Sequence, residues 1–248
     1  MKKLLFSLLF AAATLAAGEI NIAVAANVSY AIDELKAAFA KSNPDTKVQV
    51  TLGSSGKLTA QIKNGAPYGL FMAANMKYPE ALYADKIAVT EPIVYAQGAL
   101  AYLSSKPRDF SKGIALVADS SISKIAVANP KTAPYGKAAV EAMKNGGVYE
   151  AAESKFVYAE SISQTVAYAV TAADIGFIAK SSLYSDKMAA YKEGVNWAPV
   201  DTKLYTPIKQ GIVLLKYGEG SDEYRAFYDF ILGGKAKEIF KKYGYIIE

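Results

Sequence analysis

The sequence predicts an α/β fold on mostly parallel sheets, and three observations carry that prediction. Short apolar runs alternate with segments of helical periodicity along nearly the whole chain. Small polar residues stand where strands give way to helices, the place where open α/β sheets receive ligands. The chain has 248 residues, 52% hydrophobic and 21% charged, which is an ordinary globular composition. That length suits one large domain or two lobes of about 100 residues each.

The elements follow in order. Ile20 to Val24 is a short apolar strand. Ile32, Leu35, Ala38 and Phe39 recur at helical spacing, which predicts a helix from about Ser29 to Lys41 capped by Asn27 or Ser29. Val48 to Leu52 is a strand, followed by the loop Gly53-Ser54-Ser55-Gly56 and a helix from Lys57 to Asn64 with Gly65 as its stop. Leu70 to Ala73 is a strand and Pro79 to Asp85 a helix. Ile93 to Leu103 is a long apolar stretch with Gly98 inside it, and Lys124 to Ala128 is a strand. Pro134 suits the first turn of a helix that ends before Gly146-Gly147. Phe156 to Ala159 is a strand, Ile162 to Ala172 a helix, Ile175 to Ala179 a strand, and a helix is expected near Ser182 to Tyr191. Ile208 to Leu215 is a strand, and helices at Asp222 to Leu232 and Ala236 to Tyr243 close the chain.

The first residues read as an export signal instead. Met1-Lys2-Lys3 is a short positive start, Leu4 to Ala13 is apolar, and small residues follow, with Thr14, Ala16 and Ala17 fitting a cleavage site. The apolar run is too short to span a bilayer comfortably. The expectation is a signal peptide at 1–17 and a mature chain starting near Gly18 or Glu19, exported to the periplasm. Loss of Lys2 and Lys3 lowers the net charge from +5 to +3.

The chain has no cysteine and no histidine. No disulfide forms, a lipoprotein anchor at the cut is excluded, and Cys- or His-based zinc, haem and iron–sulfur sites are impossible. A Ser-His-Asp triad and a Cys-His dyad are excluded as well. The basic excess is dispersed, with no run longer than two Lys or Arg, so no nucleic-acid partner is expected.

Four strand-to-helix junctions could hold a ligand: Ala25-Ala26-Asn27-Val28-Ser29, Gly53-Ser54-Ser55-Gly56, Thr132-Ala133-Pro134-Tyr135-Gly136 and Glu160-Ser161-Ile162-Ser163. Each offers backbone N–H groups at a helix start and a hydroxyl or amide, a combination suited to an anion without Lys or Arg. In the second, two glycines let the backbone approach a ligand closely and leave two hydroxyls free. Enzyme motifs fit the same residues less well. Ser54-Ser55-Gly56-Lys57 and Ser121-Ile122-Ser123-Lys124 spell S-x-x-K, the opening motif of penicillin-recognising serine enzymes, but K-T-G is absent. The P-loop spacing fails, and no G-x-G-x-x-G stands at a strand-to-helix turn.

Six segments in order resemble the periplasmic molybdate-binding proteins of ABC importers: IAVAANVSYAIDELKAAF, TLGSSGKLTAQIKNGAPYGLFMAAN, IAVANPKTAPYGKAAVEAM, ESISQTVAYAVTAADIGFIAKS, PIKQGIVLL and FYDFILGGKAKEIFKKYGY. The resemblance implies a two-lobe α/β periplasmic binding protein of type II with two crossover hinge strands. Its first lobe would be 18–97 plus 208–248 and its second 98–207. It implies a tetrahedral oxyanion, molybdate or tungstate, held between the lobes by Asn27, Ser54 and Ser55 from the first and by backbone N–H groups of Tyr135 and Ile162 from the second. It implies no enzyme activity, no cofactor, no directly coordinated metal, a monomer, and an ABC permease in the inner membrane as partner. Two positions depart from the family's pattern. Many relatives have a Tyr donor where this chain has Ala179, and often an Asp where it has Asn75. Sulfate is the alternative cargo within the binding class, and a serine acyl-transferase using S-x-x-K the alternative of another class.

Overall fold

The computed structural model describes residues 18–247; the expected signal peptide at 1–17 lies outside the described residues. Two five-stranded sheets form the framework. The first comprises β1 (Gly18–Ala25), β2 (Thr46–Gly53), β3 (Leu70–Met72), β4 (Ile93–Gly98) and β10 (Ile208–Leu214), in the order β2-β1-β3-β10-β4. The second comprises β5 (Leu100–Leu103), β6 (Ile125–Ala128), β7 (Phe156–Ala159), β8 (Ile175–Ala179) and β9 (Trp197–Pro199), in the order β7-β6-β8-β5-β9. The helices are α1 (Ile32–Ala40), α2 (Ser55–Lys63), α3 (Lys77–Ala84), α4 (Pro134–Asn145), α5 (Tyr149–Ala152), α6 (Ile162–Thr171), α7 (Asp222–Leu232) and α8 (Gly234–Lys242).

Each sheet is sandwiched, which is why its strands are apolar on both faces. In the first, Phe39 of α1, Phe227 of α7 and Phe240 of α8 pack on one side, and Leu58, Ile62 and Leu82 of α2 and α3 on the other. Phe39 meets Phe227 edge-on, with centroids 5.0 Å apart. In the second, Ala138, Ala139 and Met143 of α4 cover one face, and Val166 and Ala169 of α6 the other. Gly65 ends α2 as expected: its φ of +83° is open to glycine at little cost, and its N–H donates to Ile62 O.

Three expectations need correction. The sheets are mixed: β1–β2, β1–β3, β6–β7 and β6–β8 run parallel, whereas β10–β3, β10–β4, β5–β8 and β5–β9 run antiparallel. The strand that runs against the others is in each sheet the one by which the chain enters from the other sheet, β10 in the first and β5 in the second. The apolar stretch Ile93–Leu103 forms two strands. β4 pairs with β10 in the first sheet, β5 with β8 in the second, and Ala99 lies at the first crossing. The second crossing runs from β9 to β10.

No α-helix occupies 182–191; two short 3-10 turns, Lys180–Tyr184 and Asp186–Met188, stand there. Ser182 Oγ donates to Ala179 O and Ser185 Oγ to Ser182 O, so hydroxyls compete for the carbonyls that a regular helix needs. Finally, neither Asn27 nor Ser29 caps α1. A 3-10 turn, Ala26–Tyr30, intervenes, and the residue before α1 is Ala31 with no side-chain cap. The Asn27 amide is engaged elsewhere.

Candidate anion site

A small cavity lies between the sheets. From the first sheet's side, Ala25, Ala26 and Asn27 after β1, Gly53, Ser54 and Ser55 after β2, and Ala74 after β3 line it. Opposite stand Ala133, Pro134 and Tyr135 at the start of α4, and Ile162 at the start of α6. Parallel strands bring this about: the carboxyl ends of β1, β2 and β3 point at one wall, and those of β6 and β7 at the other. All five residues singled out from the sequence, Asn27, Ser54, Ser55, Tyr135 and Ile162, are brought together here. All are buried, none more than 5% exposed. Of the lining residues only Ala74 lies outside the four junctions named from the sequence, and its N–H has a polar role.

Three helices of nine, twelve and ten residues, α2, α4 and α6, begin at this cavity. Ser55 and Ile162 are first-turn residues of α2 and α6, and Tyr135 is the second residue of α4, so their N–H groups have no partner within the helix. Helix starts carry partial positive charge, so three converge on one neutral space. Ser161 caps α6 by accepting from Gln164 N, at 3.3 Å. The other two helices lack a side-chain cap.

The hydroxyls differ. Ser55 Oγ accepts from Ala74 N–H at 2.9 Å, which leaves its own proton to donate. Ser54 Oγ is buried with no hydrogen-bond partner. Among the lining residues there is no carboxylate and no cation. An ion pair joins Lys57 to Glu160 beside a groove that shares Gly53 and Ser54 with the cavity. That pairing, with both side chains more than half exposed, gives Lys57 a carboxylate partner rather than the Ser54 hydroxyl an S-x-x-K enzyme would need.

Behind the cavity is a buried polar cluster. Asn27 Nδ2 donates to Gln210 Oε1 at 2.8 Å and to Tyr245 Oη at 2.9 Å. Tyr245 Oη donates to Asn27 O at 2.9 Å, and Ser181 Oγ reaches the same carbonyl at 3.2 Å. Tyr95 Oη donates to Gln210 Oε1 at 2.8 Å, and Gln210 Nε2 donates to Tyr135 Oη at 3.1 Å. Burial pushes the phenols of Tyr95, Tyr135 and Tyr245 above their usual range, so all three stay neutral. Asn75 does not line the cavity; it borders a neighbouring groove with Lys137 and Glu141, and its Oδ1 accepts from Tyr78 N–H. Ala179 is buried at the end of β8 and does not line the cavity either.

Two mixed sheets with flanking helices and a cleft walled by helix starts from both sides define a solute-binding architecture. The description "Bacterial extracellular solute-binding protein" matches residues 20–246, and the chain belongs to that family. It is 40% identical to the molybdate-binding protein ModA of Rhodobacter capsulatus over 94% of this chain and 90% of that protein. It is 37% identical to the molybdate-binding protein ModA of Azotobacter vinelandii over 92% and 90%. Among solved structures, the periplasmic molybdate-binding protein of Azotobacter vinelandii superposes with a TM-score of 0.83 at 29% identity, covering 92% of this chain and 99% of that one.

Proposed function

We propose that this chain is the periplasmic solute-binding component of an ABC importer, that it captures molybdate, or its congener tungstate, and that it hands the ion to a permease in the inner membrane. The observation that carries the reading is a neutral cavity at three helix starts, lined by hydroxyls and N–H groups and by no carboxylate. A fully ionised oxyanion only accepts hydrogen bonds, so such a cavity suits it. Hydrogen phosphate brings a proton that needs an acceptor, and the site disfavours it. Bonds of this charge-assisted kind contribute about 1.5–3 kcal/mol each, and several offset the desolvation of the ion.

In this reading Ser54 and Ser55 donate through their hydroxyls, and Ser55, Tyr135 and Ile162 through backbone N–H groups. Asn27 belongs to the wall as well. The lobes are 18–97 with 208–248, and 98–207, and residues 1–17 are the export signal. The protein acts as a monomer, without cofactor, catalysis or nucleic acid. Molybdenum arrives already wrapped in oxygen, so the absence of Cys and His is no obstacle to carrying it. Contacts from both lobes favour the closed form, and the ion shifts the open–closed equilibrium by its preference for that form. Titration calorimetry of the mature chain tests the reading. One molybdate per chain with favourable heat is expected; binding of an organic solute in place of any oxyanion would sink it.

A further inference from the structure

We infer that Gln210, which does not line the cavity, is the positioning residue that holds the two anion-facing walls in register. The inference rests on the anion reading above. Gln210 is fully buried on β10, just past the second crossing. Its ladder with β4 is irregular. Gln210 faces Ala96 and Gly211 faces Val94, so the register skips Tyr95. A bulge of this kind re-aims side chains, and here Tyr95 Oη meets Gln210 Oε1.

The carboxamide then serves both walls at once. Its oxygen accepts from Asn27 Nδ2, which fixes the amide of the residue that follows β1 into the cavity. Its nitrogen donates to Tyr135 Oη, on the residue whose N–H stands at the start of α4. Gly98, at the end of β4 beside the first crossing, makes room for this bond. A Cβ there would lie 1.9 Å from Tyr135 Oη and 2.6 Å from Gln210 Nε2. The Tyr135 side chain is thus a peg from the second lobe seated between the two crossing strands, and Gln210 is what grips it. Opening the lobes withdraws the peg or breaks the grip. The closed state, and with it the alignment of Asn27 and Tyr135 on the ion, is held from behind.

The test is the rate of molybdate release from the full mature chain, followed by stopped-flow. Gln210→Met keeps length and bulk but removes all three bonds. Tyr135→Phe removes only the hydroxyl that Nε2 grips. Gln210→Met should release the ion about tenfold faster or more, with association little changed, and Tyr135→Phe faster by a smaller factor. The double variant should be no faster than Gln210→Met alone, since both act through one bond. A purely structural role would lower the melting temperature of ligand-free protein and leave release from the folded fraction unaltered. Release from Gln210→Met at the wild-type rate, or a double variant equal to the product of the single effects, overturns the inference. If Gln210→Met does not fold, Tyr135→Phe carries the test, and unchanged release in it has the same force. Wild-type protein that takes up neither molybdate nor tungstate overturns the site reading itself, an outcome distinct from binding that the variants leave untouched.

Discussion

Ser54 and Ser55 are neighbours with separable roles. Ser55 Oγ already serves the protein by accepting from Ala74 N–H, so Ser55→Ala removes the proposed donor to the ion and strands a buried N–H. We expect affinity to fall about tenfold or more and stability by about 1–3 kcal/mol. Ser54 Oγ is buried without a partner, so Ser54→Ala breaks no existing bond. Its ligand-free melting temperature should hold or rise while molybdate affinity falls, a pairing that calorimetry and thermal unfolding read together. The Gly-Ser-Ser-Gly loop was legible because two glycines around two hydroxyls stand out locally. The division of labour was not, since Ala74 is 19 residues away. Gln210 was less legible still. It sits in an apolar strand, and its side-chain partners Asn27, Tyr95 and Tyr135 lie 183, 115 and 75 residues off.

Helix starts are the working elements, and α4 is the most tightly seated. Gly136, in its first turn, packs so closely under the end of β6 that a Cβ would lie 1.9 Å from Ala128 O, a backbone atom with little freedom to yield. Gly136→Ala therefore has to lift α4 away from the cavity. Overpacking of this kind costs about 1–3 kcal/mol, and molybdate binding should be lost with it. A variant with wild-type affinity would show that the α4 start does not hold the ion. At this scale the sequence was most legible where local signals agree with the tertiary demand. Pro134 opens α4, and Gly65 and Gly147, both with positive φ, follow the ends of α2 and α4. It was least legible where polar side chains redirect the backbone, as in the 3-10 turns at 26–30 and 180–188. The mixed sheet direction is likewise set by where the chain returns from the other sheet, which no local pattern records.

Across the whole molecule, the two lobes touch beside the cavity. Gly56 N–H donates to Thr132 O at 2.9 Å, and Lys57 pairs with Glu160. The exposed ion pair contributes little; the backbone contact is close enough that a Cβ on Gly56 would lie 3.0 Å from Thr132 Cα. Because the cavity lining has no carboxylate, amine or imidazole, affinity should be flat between about pH 6 and 9. Stability has a different limit. The buried phenols of Tyr95, Tyr135 and Tyr245 are raised by desolvation. Below the unfolded value near 10 both states keep the proton; above it the unfolded chain releases protons that the folded chain retains. Stability should therefore hold up to about pH 10 and then fall, by up to about 1.4 kcal/mol per pH unit for each such tyrosine. Denaturant melts across that range check the sign.

The central claim is that a neutral cage of donors, closed by two lobes, takes a tetrahedral oxyanion. Calorimetric titration of the mature chain with molybdate, tungstate and sulfate tests it most directly. The account predicts one site per chain, tight for molybdate and tungstate and far weaker for the smaller sulfate. Sulfate bound as tightly as molybdate would contradict the selectivity, and no heat with any of the three would contradict the site.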